Sequence, residues 1–298
     1  MVTRLFCDKC GGEAVIYRKY SGEKLCKKHF FRSLEKKVYS NLREYLEKGL
    51  KVGLAVSGGK DSLTLAYIVT KFVKQRFRDI KLIAFIVDEG IKGYRDNSIR
   101  KAKLLLTKLE VPYVVFSFKK HFSITVDEAM EKTNKLNMAC TYCGVLRRRA
   151  LEIMSRNEKI DLLLTGHNAC DIAQTIILNV IQGNLKNLSS SDLFPGTVRK
   201  EKPLKNILER EIALYASLRE IDFCSIPCPY TRYSLRNEIR NFLTRLEENH
   251  PGITFSITSV GEKLKQKIKA DVKVKKCVFC GFPTTKEVCK ACELLKSL

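Results

Sequence analysis

The sequence predicts an α/β fold in which a parallel sheet carries helices on both faces, with a zinc-binding module at each end of the chain. Two observations carry this prediction. Apolar runs of strand length alternate with helical stretches through the middle of the chain, as they do in parallel sheets. Cysteine pairs with the spacing of zinc ligands occupy both ends. We therefore expect a zinc finger over residues 1–30, a core over 31–262, and a basic linker with a zinc ribbon over 263–298.

The elements of the core are predicted from apolar spacing. Strands are expected over residues 51–56, 80–87, 112–118 and 161–165. Helices are expected over residues 30–47, 63–75, 97–109, 147–155 with a start near Cys140, a stretch ending at Ile181, 209–218 and 235–248. Residues 183–200 should form an exposed loop, and residues 263–276 a basic linker or helix end. Because ligands bind at the carboxyl ends of parallel strands, residues 57–62, 88–90 and 166–168 should converge on one pocket.

Composition favours a nucleic-acid partner. The chain has 298 residues, of which 55 are Lys or Arg and 32 are Asp or Glu, so its net charge is +23. A balance this basic favours RNA or DNA over a generally cationic surface. A membrane partner is disfavoured because the basic segments lack a strong apolar face, and no apolar run is long enough to span a bilayer. The first residues lack the apolar stretch of a signal peptide, so a cytoplasmic protein is expected.

The most informative motif is Ser-Gly-Gly-Lys-Asp-Ser at residues 57–62, between a predicted strand and a predicted helix. A strand, a glycine turn and a helix start form an anion site, because backbone N–H groups and the helix dipole point at a phosphate. A Walker loop has different spacing, with four residues between its first Gly and Gly-Lys. The motif resembles the PP-loop of ATP pyrophosphatases, which split ATP into AMP and pyrophosphate while adenylating a substrate. The alternative is an ordinary Gly-Gly turn before a helix.

The cysteines indicate metal sites. Twelve cysteines in a cytoplasmic protein point to metals rather than disulfides. Two short segments each offer four ligands in the pairwise spacing of a tetrahedral zinc site. The ligands are Cys7, Cys10, Cys26 and His29 in one segment and Cys277, Cys280, Cys289 and Cys292 in the other. Such short segments cannot form a core alone, so we expect zinc to fold them without a catalytic role. Reduced, unliganded thiols are the alternative.

A further cysteine pair, Cys140 and Cys143, lies inside the core, and Cys224 and Cys228 follow much later. The spacing leaves three interpretations open. Three cysteines can hold a 4Fe–4S cluster and leave one iron free to bind an external group. Alternatively, the cysteines carry a persulfide that is resolved as a disulfide. The third possibility is a pair of inert buried thiols.

Two zinc modules around a core with this loop and an internal cysteine pair resemble the tRNA 2-thiouridine synthetases, over nearly the whole chain. Residues 87–95 (Val-Asp-Glu-Gly-Ile-Lys-Gly-Tyr-Arg), 140–148 and 165–175 resemble the wobble-uridine thiolation subfamily of the eukaryotic cytoplasm and archaea. The subfamily that thiolates the T-loop ribothymidine is similar in architecture but usually lacks the motif Asp-Glu-Gly-Ile-x-Gly-Tyr-Arg, which this chain has at residues 88–95. This family usually has Gly-His-Asn-x-Asp-Asp, where this chain has Cys170 before Asp171. We expect Cys170 to be a packed thiol.

The resemblance implies a PP-loop fold like that of adenine-nucleotide hydrolases, with ATP, Mg²⁺, two Zn²⁺ ions and a 4Fe–4S cluster as cofactors. The residues implied to bind ATP are Ser57, Gly58, Gly59, Lys60, Asp61, Ser62 and Gly166. The residues implied to act in catalysis are Lys60, Asp61, Arg147 and Asp171. Cys228 matches the third cysteine of the family, in Cys-Pro-Tyr, whereas Cys224 does not, so the implied cluster ligands are Cys140, Cys143 and Cys228.

Several of these roles have alternatives. Asp61 can cap its helix or position a hydrated Mg²⁺. Arg147 can stabilise charge on the phosphate or base, or contact a tRNA phosphate. Asp171 can bind metal, steer the base, or cap a helix.

The implied reaction is adenylation of the C2 oxygen of a uridine, followed by its replacement with sulfur. The implied partners are tRNA and a sulfur source, either the C-terminal thiocarboxylate of a ubiquitin-like carrier or free sulfide. The family also suggests a homodimer.

The sequence leaves three rival functions to compare with this reaction. The same chemistry could act on the T-loop ribothymidine or on a cytidine, although the cytidine enzymes generally lack the zinc modules. A pyrophosphatase acting on a small molecule is disfavoured by the +23 charge and the zinc modules. A non-catalytic RNA-binding zinc protein is disfavoured by the intact Lys60 and Asp61.

Overall fold

A five-stranded parallel sheet lies at the centre of the molecule. The computed structural model describes residues 4–184, 196–267 and 274–298. Its strands are β1 (Ile16–Arg18), β2 (Glu23–Leu25), β3 (Lys51–Ala55), β4 (Lys81–Asp88), β5 (Tyr113–Ser117), β6 (Leu162–Thr165), β7 (Arg199–Glu201), β8 (Lys275–Lys276) and β9 (Pro283–Thr284). Its α-helices are α1 (Lys27–Leu42), α2 (Lys60–Arg76), α3 (Arg95–Lys108), α4 (Phe118–Phe122), α5 (Val126–Thr133), α6 (Ala139–Asn157), α7 (Ala169–Ile181), α8 (Glu209–Leu218), α9 (Leu235–Asn249), α10 (Ile253–Lys267) and α11 (Lys290–Lys296).

The central sheet has the strand order β5-β4-β3-β6-β7, and all of its neighbouring strands are parallel. Because β3 is the first of these strands and β6 the fourth, the order of connection reverses between them. Ligands of open α/β sheets bind at such a reversal, outside the carboxyl ends of the strands. The fold therefore places its main crevice where β3 and β6 end.

Helices cover both faces of this sheet, as the sequence predicts. Alternate side chains of a strand point to opposite faces. On β4, Ala84 and Ile86 pack into the apolar cluster that includes α1, α2 and α8, whereas Phe85 and Val87 pack into the cluster that includes α5, α6 and α11. The predicted fold class is confirmed.

Helix α1 differs in extent from its prediction. It begins at Lys27 and ends at Leu42, whereas the apolar spacing predicted residues 30–47. Leu46 is buried and continues the helical spacing of apolar residues, although the helix has ended before it. The cysteine pair of the core and residues 147–155 belong to one continuous helix, α6.

Four elements of the core were missed. The charged strand β7 begins inside residues 183–200, which were predicted to be a loop, and it pairs with β6. That part of the prediction is wrong, and residues 185–195 lie outside the described residues. Helices α4, α5 and α10 had no counterpart in the prediction. Helix α10 includes the first residues of the predicted basic linker, of which residues 268–273 are not described.

Both terminal modules pack on the core. Helix α1 begins in the N-terminal module and continues into the core, across the predicted boundary between residues 30 and 31. The Arg18 guanidinium in this module lies 2.9 Å from the Glu211 carboxylate of α8, and both side chains are almost fully buried. At the other end, the Tyr142 hydroxyl of α6 lies 3.1 Å from the Ser297 hydroxyl.

None of the helices in the described part of the chain has the length and apolar character that a bilayer span requires.

Candidate active site

The loops that follow β3 and β6 meet at the carboxyl edge of the sheet. A side chain at Gly166, after β6, would place its Cβ 3.0 Å from the backbone nitrogen of Ser62 in helix α2. This close approach requires glycine and brings two predicted site segments together. The structure thus positions Gly166 beside the start of α2, at the loop of residues 57–62 that the sequence predicts to bind ATP and that is called the ATP loop below.

The loop at residues 57–62 has the geometry of an anion site. Helix α2 begins at Lys60, and its N-cap residue Gly59 makes no side-chain capping bond. The first N–H groups of the helix are therefore available to a phosphate. The Ser57 and Ser62 hydroxyls lie 3.0 Å apart, and the Ser62 hydroxyl accepts a bond of 3.1 Å from the Ser57 N–H. These bonds close the loop around its helix start.

Asp61 connects this loop to helix α7. Its carboxylate accepts a 3.2 Å hydrogen bond from the Asn168 side-chain amide and lies 3.0 Å from the Lys60 ammonium. Asn168 caps α7 in a reciprocal capping box with Asp171. The helix-capping role considered for Asp171 is therefore present in the structure, and the cap of α2 is Gly59 rather than Asp61. Burial raises the pKa of both carboxyl groups.

Glu209 is a site residue that sequence reasoning missed. It begins helix α8, and its carboxylate lies 2.6 Å from the Lys60 ammonium and 3.2 Å from the Arg240 guanidinium. Burial lowers the pKa of Lys60, but the Asp61 and Glu209 carboxylates outweigh this and raise it. An acid in the first turn of a helix is common, so the sequence offered no signal beyond the predicted start of α8 at residue 209.

Of the three core cysteines, Cys228 lies in a segment that contacts the ATP loop. Cys140 and Cys143 occupy the first turns of α6, and Cys228 follows α8 in an extended segment. In this segment the Cys224 backbone N–H donates a 3.0 Å hydrogen bond to the Gly58 carbonyl oxygen. Cys143 and Cys228 both pack against the same apolar cluster. Burial raises the pKa of Cys143 to about 12, and it also raises the pKa of Cys228.

Cys170, which stands where the family usually has an aspartate, lies in the first turn of α7 and is partly buried. Burial raises its pKa to about 11, which fits the packed thiol expected there.

Arg147 is placed at the cysteine site through α6. It lies one helical turn after Cys143, is about half exposed, and its guanidinium is 3.6 Å from the Glu89 carboxylate. Glu89 also lies 2.6 Å from the buried guanidinium of Arg95. The segment at residues 88–90 thus joins the site, as the topology predicted, but the sequence did not single out Glu89 or Arg95.

The terminal modules bring their predicted ligands together. The ligand atoms of each set lie within 4.8 Å of one another. The Cys10 and Cys26 sulfurs are 3.7 Å apart, as are those of Cys280 and Cys289. Tetrahedral zinc with Zn–S bonds of about 2.3 Å places its sulfurs about 3.8 Å apart. Both sets therefore fit a single tetrahedral ion.

Backbone N–H groups also favour thiolates at these modules. Burial raises the pKa of Cys7 and Cys277, but hydrogen bonds, mainly from neighbouring backbone groups, outweigh it and lower each pKa to about 6. Thiolates are the form that binds metal.

The core cysteines are arranged differently. Among the described residues, sets of three or more ligand atoms within 4.8 Å occur at the two terminal modules, and Cys140, Cys143 and Cys228 do not form such a set. A cluster attaches each sulfur to a different iron and so needs wider spacing than one ion. The donor set of three thiols therefore fits a cluster better than a mononuclear site.

Comparison with known proteins gives the family. Residues 28–247 match the PP-loop domain, and residues 7–31 match the N-terminal LIM domain of the 2-thiouridine synthetase TtuA. The chain is 33% identical to the cytoplasmic tRNA 2-thiolation protein 1 of Laccaria bicolor, over 99% of this chain and 85% of that protein. The chain belongs to the PP-loop family of tRNA 2-thiolation proteins. The predicted family is confirmed, and the relative's name agrees with the expected cytoplasmic location.

Two further members support the archaeal and cytoplasmic branch of this family. A probable sulfurtransferase of Methanocaldococcus jannaschii is 37% identical over 97% of this chain and 87% of that protein. The solved structure of the U34-tRNA thiolase NcsA from Methanococcus maripaludis, described with its 4Fe–4S cluster, superposes with a TM-score of 0.87 at 35% identity. It covers 100% of this chain and 97% of that one. The chain therefore falls in the wobble-uridine thiolation subfamily, as residues 87–95 indicated.

Proposed function

We propose that this protein is an ATP-dependent sulfurtransferase that replaces the C2 oxygen of the tRNA wobble uridine with sulfur. The observation that carries the proposal is the hydrogen bond from the Cys224 N–H to the Gly58 carbonyl oxygen. It holds the segment that carries Cys228 against the ATP loop. An activating site and a sulfur-handling site therefore share one edge of the sheet, as a two-step thiolation requires.

The ATP loop performs the activation. The C2 oxygen of uridine is a poor leaving group, so it must first displace pyrophosphate from the α-phosphorus of ATP. The N–H groups at Gly58 and Gly59 and the hydroxyls of Ser57 and Ser62 bind the phosphates. Lys60 stabilises the charge that develops during transfer. AMP then leaves with the original oxygen when sulfide bonds to C2.

Acidic residues around the loop position the metal of ATP. Asp61 lies beside Lys60 at the helix start, where a carboxylate can hold a hydrated Mg²⁺. Asp171 holds Asn168, which in turn donates to Asp61. Asp171 therefore acts on the metal or the base chiefly by orienting these neighbours.

Cys140, Cys143 and Cys228 would hold a 4Fe–4S cluster. Its chemistry, when bound, is to offer sulfide a coordination site on the iron that has no cysteine ligand. Around it, α6 fixes two of the sulfurs and Arg147 in one rigid helix. A cluster is favoured over a persulfide because burial raises the pKa of Cys143 and Cys228, whereas a persulfide needs a reactive thiolate.

Basic side chains beside the cysteines suit a tRNA backbone. Burial lowers the pKa of Arg148, and the positive charges of Arg147 and Arg236 lower it further. Arg148 therefore lies close enough to both other guanidiniums to be repelled by them. Such a group is stabilised by phosphates, which neutralise it. Zinc in the terminal modules, a homodimer, and sulfur from free sulfide or a thiocarboxylate carrier complete the proposal.

Nucleoside mapping tests the proposal. The reconstituted protein is incubated anaerobically with ATP, Mg²⁺, sulfide and unmodified tRNA, and the digested RNA is read by mass spectrometry. We expect 2-thiouridine at the wobble position. Sulfur in the T-loop would keep the chemistry but overturn the position, a result that the TtuA-like N-terminal module makes worth testing. An absence of thionucleoside with both sulfide and a thiocarboxylate donor would contradict the reaction itself.

A further inference from the structure

Glu89 is a buried acid shared by two arginines at the carboxyl edge of the sheet. It follows β4 directly, and its side chain is 3% exposed. One carboxylate oxygen lies 2.6 Å from Nε of Arg95, and the other lies 3.6 Å from Nη1 of Arg147. A single carboxylate therefore faces both guanidiniums at once.

Arg95 links Glu89 to the ATP loop. It is the first residue of α3 and is 3% exposed. Its Nη1 donates a 2.8 Å hydrogen bond to the Ser57 carbonyl oxygen and another of 2.8 Å to the Ser98 hydroxyl. A third bond runs from its Nη2 to the Val87 carbonyl oxygen. Arg95 thus ties the first residue of the ATP loop to the end of β4.

Arg147 links Glu89 to the cysteine site. Its side chain is 47% exposed, so packing alone does not hold it in one place. The Glu89 carboxylate supplies a fixed partner, because Glu89 is itself buried and its backbone oxygen accepts a 2.9 Å bond from the Val126 N–H. The guanidinium is held one helical turn from Cys143.

We propose that Glu89 is a positioning residue that fixes the position of the ATP loop relative to the sulfur site. Through Arg95 it fixes Ser57, and through Arg147 it orients the charge beside Cys143. The inference rests on the proposed function, since the relative position of the two sites affects the reaction only if both act on one uridine. The alternative is a buried ion pair that serves folding alone.

A double-mutant cycle separates these two roles. The variants are Glu89→Gln, Arg147→Gln and the double variant, assayed for tRNA thiolation and for tRNA-dependent AMP formation. For groups in contact, coupling of about tenfold is within the usual range. At saturating ATP, where weaker ATP binding does not limit the rate, we expect Glu89→Gln and Arg147→Gln each to slow thiolation about tenfold, and the double variant to be within about twofold of Arg147→Gln. Losses that multiply in the double variant would overturn the proposal.

ATP affinity, measured by calorimetry on protein without its cluster, is the second readout. Because Arg95 also depends on Glu89, we expect Glu89→Gln to weaken ATP binding about threefold to tenfold, and Arg147→Gln to leave it unchanged. Equal ATP affinity in wild type and Glu89→Gln would overturn the link to Ser57. This readout does not involve sulfur, so it distinguishes failure of the inference from failure of the proposed function.

Two further variants control for folding. Glu89→Asp keeps the charge, so it should recover part of the lost activity even if Glu89→Gln folds poorly. Glu211→Gln removes the acid from the equally buried pair with Arg18 of the N-terminal module. We expect it to lower the melting temperature without changing ATP affinity or the ratio of thiolation to AMP formation. The same pattern in Glu211→Gln as in Glu89→Gln would reduce Glu89 to a structural role.

Discussion

The Nζ of Lys60 lies 2.6 Å from a carboxylate oxygen of Glu209, a residue 149 positions later in the chain. The lysine of the ATP loop is thus held by an acid from another helix. Arg240 approaches the same carboxylate oxygen at 3.2 Å. The ammonium is therefore fixed before any phosphate arrives, and the acid that fixes it is itself anchored.

Replacing this acid should slow activation. We expect Glu209→Gln to reduce the maximal rate of tRNA-dependent AMP formation about tenfold, which corresponds to about 1.4 kcal/mol, because Lys60 loses the partner that orients it. ATP affinity should hold or increase, since a negative charge near the phosphates is removed. Steady-state kinetics of AMP release, with ATP as the varied substrate, measures both quantities.

The matched control is Glu158→Gln. Glu158 lies 2.9 Å from the Lys51 ammonium, in a lysine–glutamate pair at the amino end of β3. We expect this variant to retain AMP formation within about twofold, because surface pairs contribute little. An equal loss in both variants would mean that Glu209 contributes only to general stability.

The choice between Cys228 and Cys224 is open to a direct test. We expect Cys228→Ala to lose bound iron and thiolation while keeping ATP affinity, because it removes one of three cluster ligands. Cys224→Ala should keep all three properties, since Cys224 contacts Gly58 through its backbone. Iron per chain after anaerobic reconstitution and ATP calorimetry are the measurements. Iron retained in Cys228→Ala but lost in Cys224→Ala would reverse the ligand choice.

The sequence predicted correctly the features that depend on the local spacing of residues. The paired terminal cysteines, the loop at residues 57–62 and the buried strands are all short, contiguous patterns. For β3, an apolar run of strand length followed by Gly-Gly-Lys was enough to place a strand end and an anion site. Strands of a parallel sheet then bring their carboxyl ends to one edge without further information.

The missed features depend on tertiary contacts. Glu209 looks like any acid in the first turn of a helix, and only the fold brings it to Lys60. Strand β7 is Arg-Lys-Glu, which has no apolar pattern, and it is a strand because it pairs with the buried β6. Helix α10 contains many β-branched residues, which disfavour helix locally, yet it packs against α7 and buries Thr254.

Each terminal module should bind its own zinc. We expect Cys10→Ser and Cys280→Ser each to reduce bound zinc from two ions per chain to one, since each removes one of four ligands. A loss of about 2–5 kcal/mol would lower the melting temperature by about 3–8 °C in a chain of this size. Metal analysis of the purified variants and thermal unfolding provide the check.

The C-terminal variant should also affect the core. The Arg149 guanidinium, on the cysteine helix α6, donates to the Cys280 and Cys289 sulfurs at 3.3 and 2.9 Å and stacks on the Phe282 ring. Iron binding should therefore weaken in Cys280→Ser but not in Cys10→Ser. Cys170→Ser lies outside both modules and should keep two zinc ions. Unchanged zinc content in either ligand variant would show that the module does not need all four ligands.

Gly58 is the position of the ATP loop least able to accept a side chain. Its φ is +87°, a left-handed conformation that costs other residues about 1–2 kcal/mol, and a Cβ would overlap the Ser98 carbonyl oxygen. We expect Gly58→Ala to abolish ATP binding measurable by calorimetry, because the loop must move away from Ser98. Gly93→Ala is the control, since Gly93 has φ +71° but open space around its Cβ position. It should cost stability alone and keep ATP affinity, so a comparable loss of ATP binding in both variants would show that backbone strain, rather than the contact with Ser98, shapes the loop.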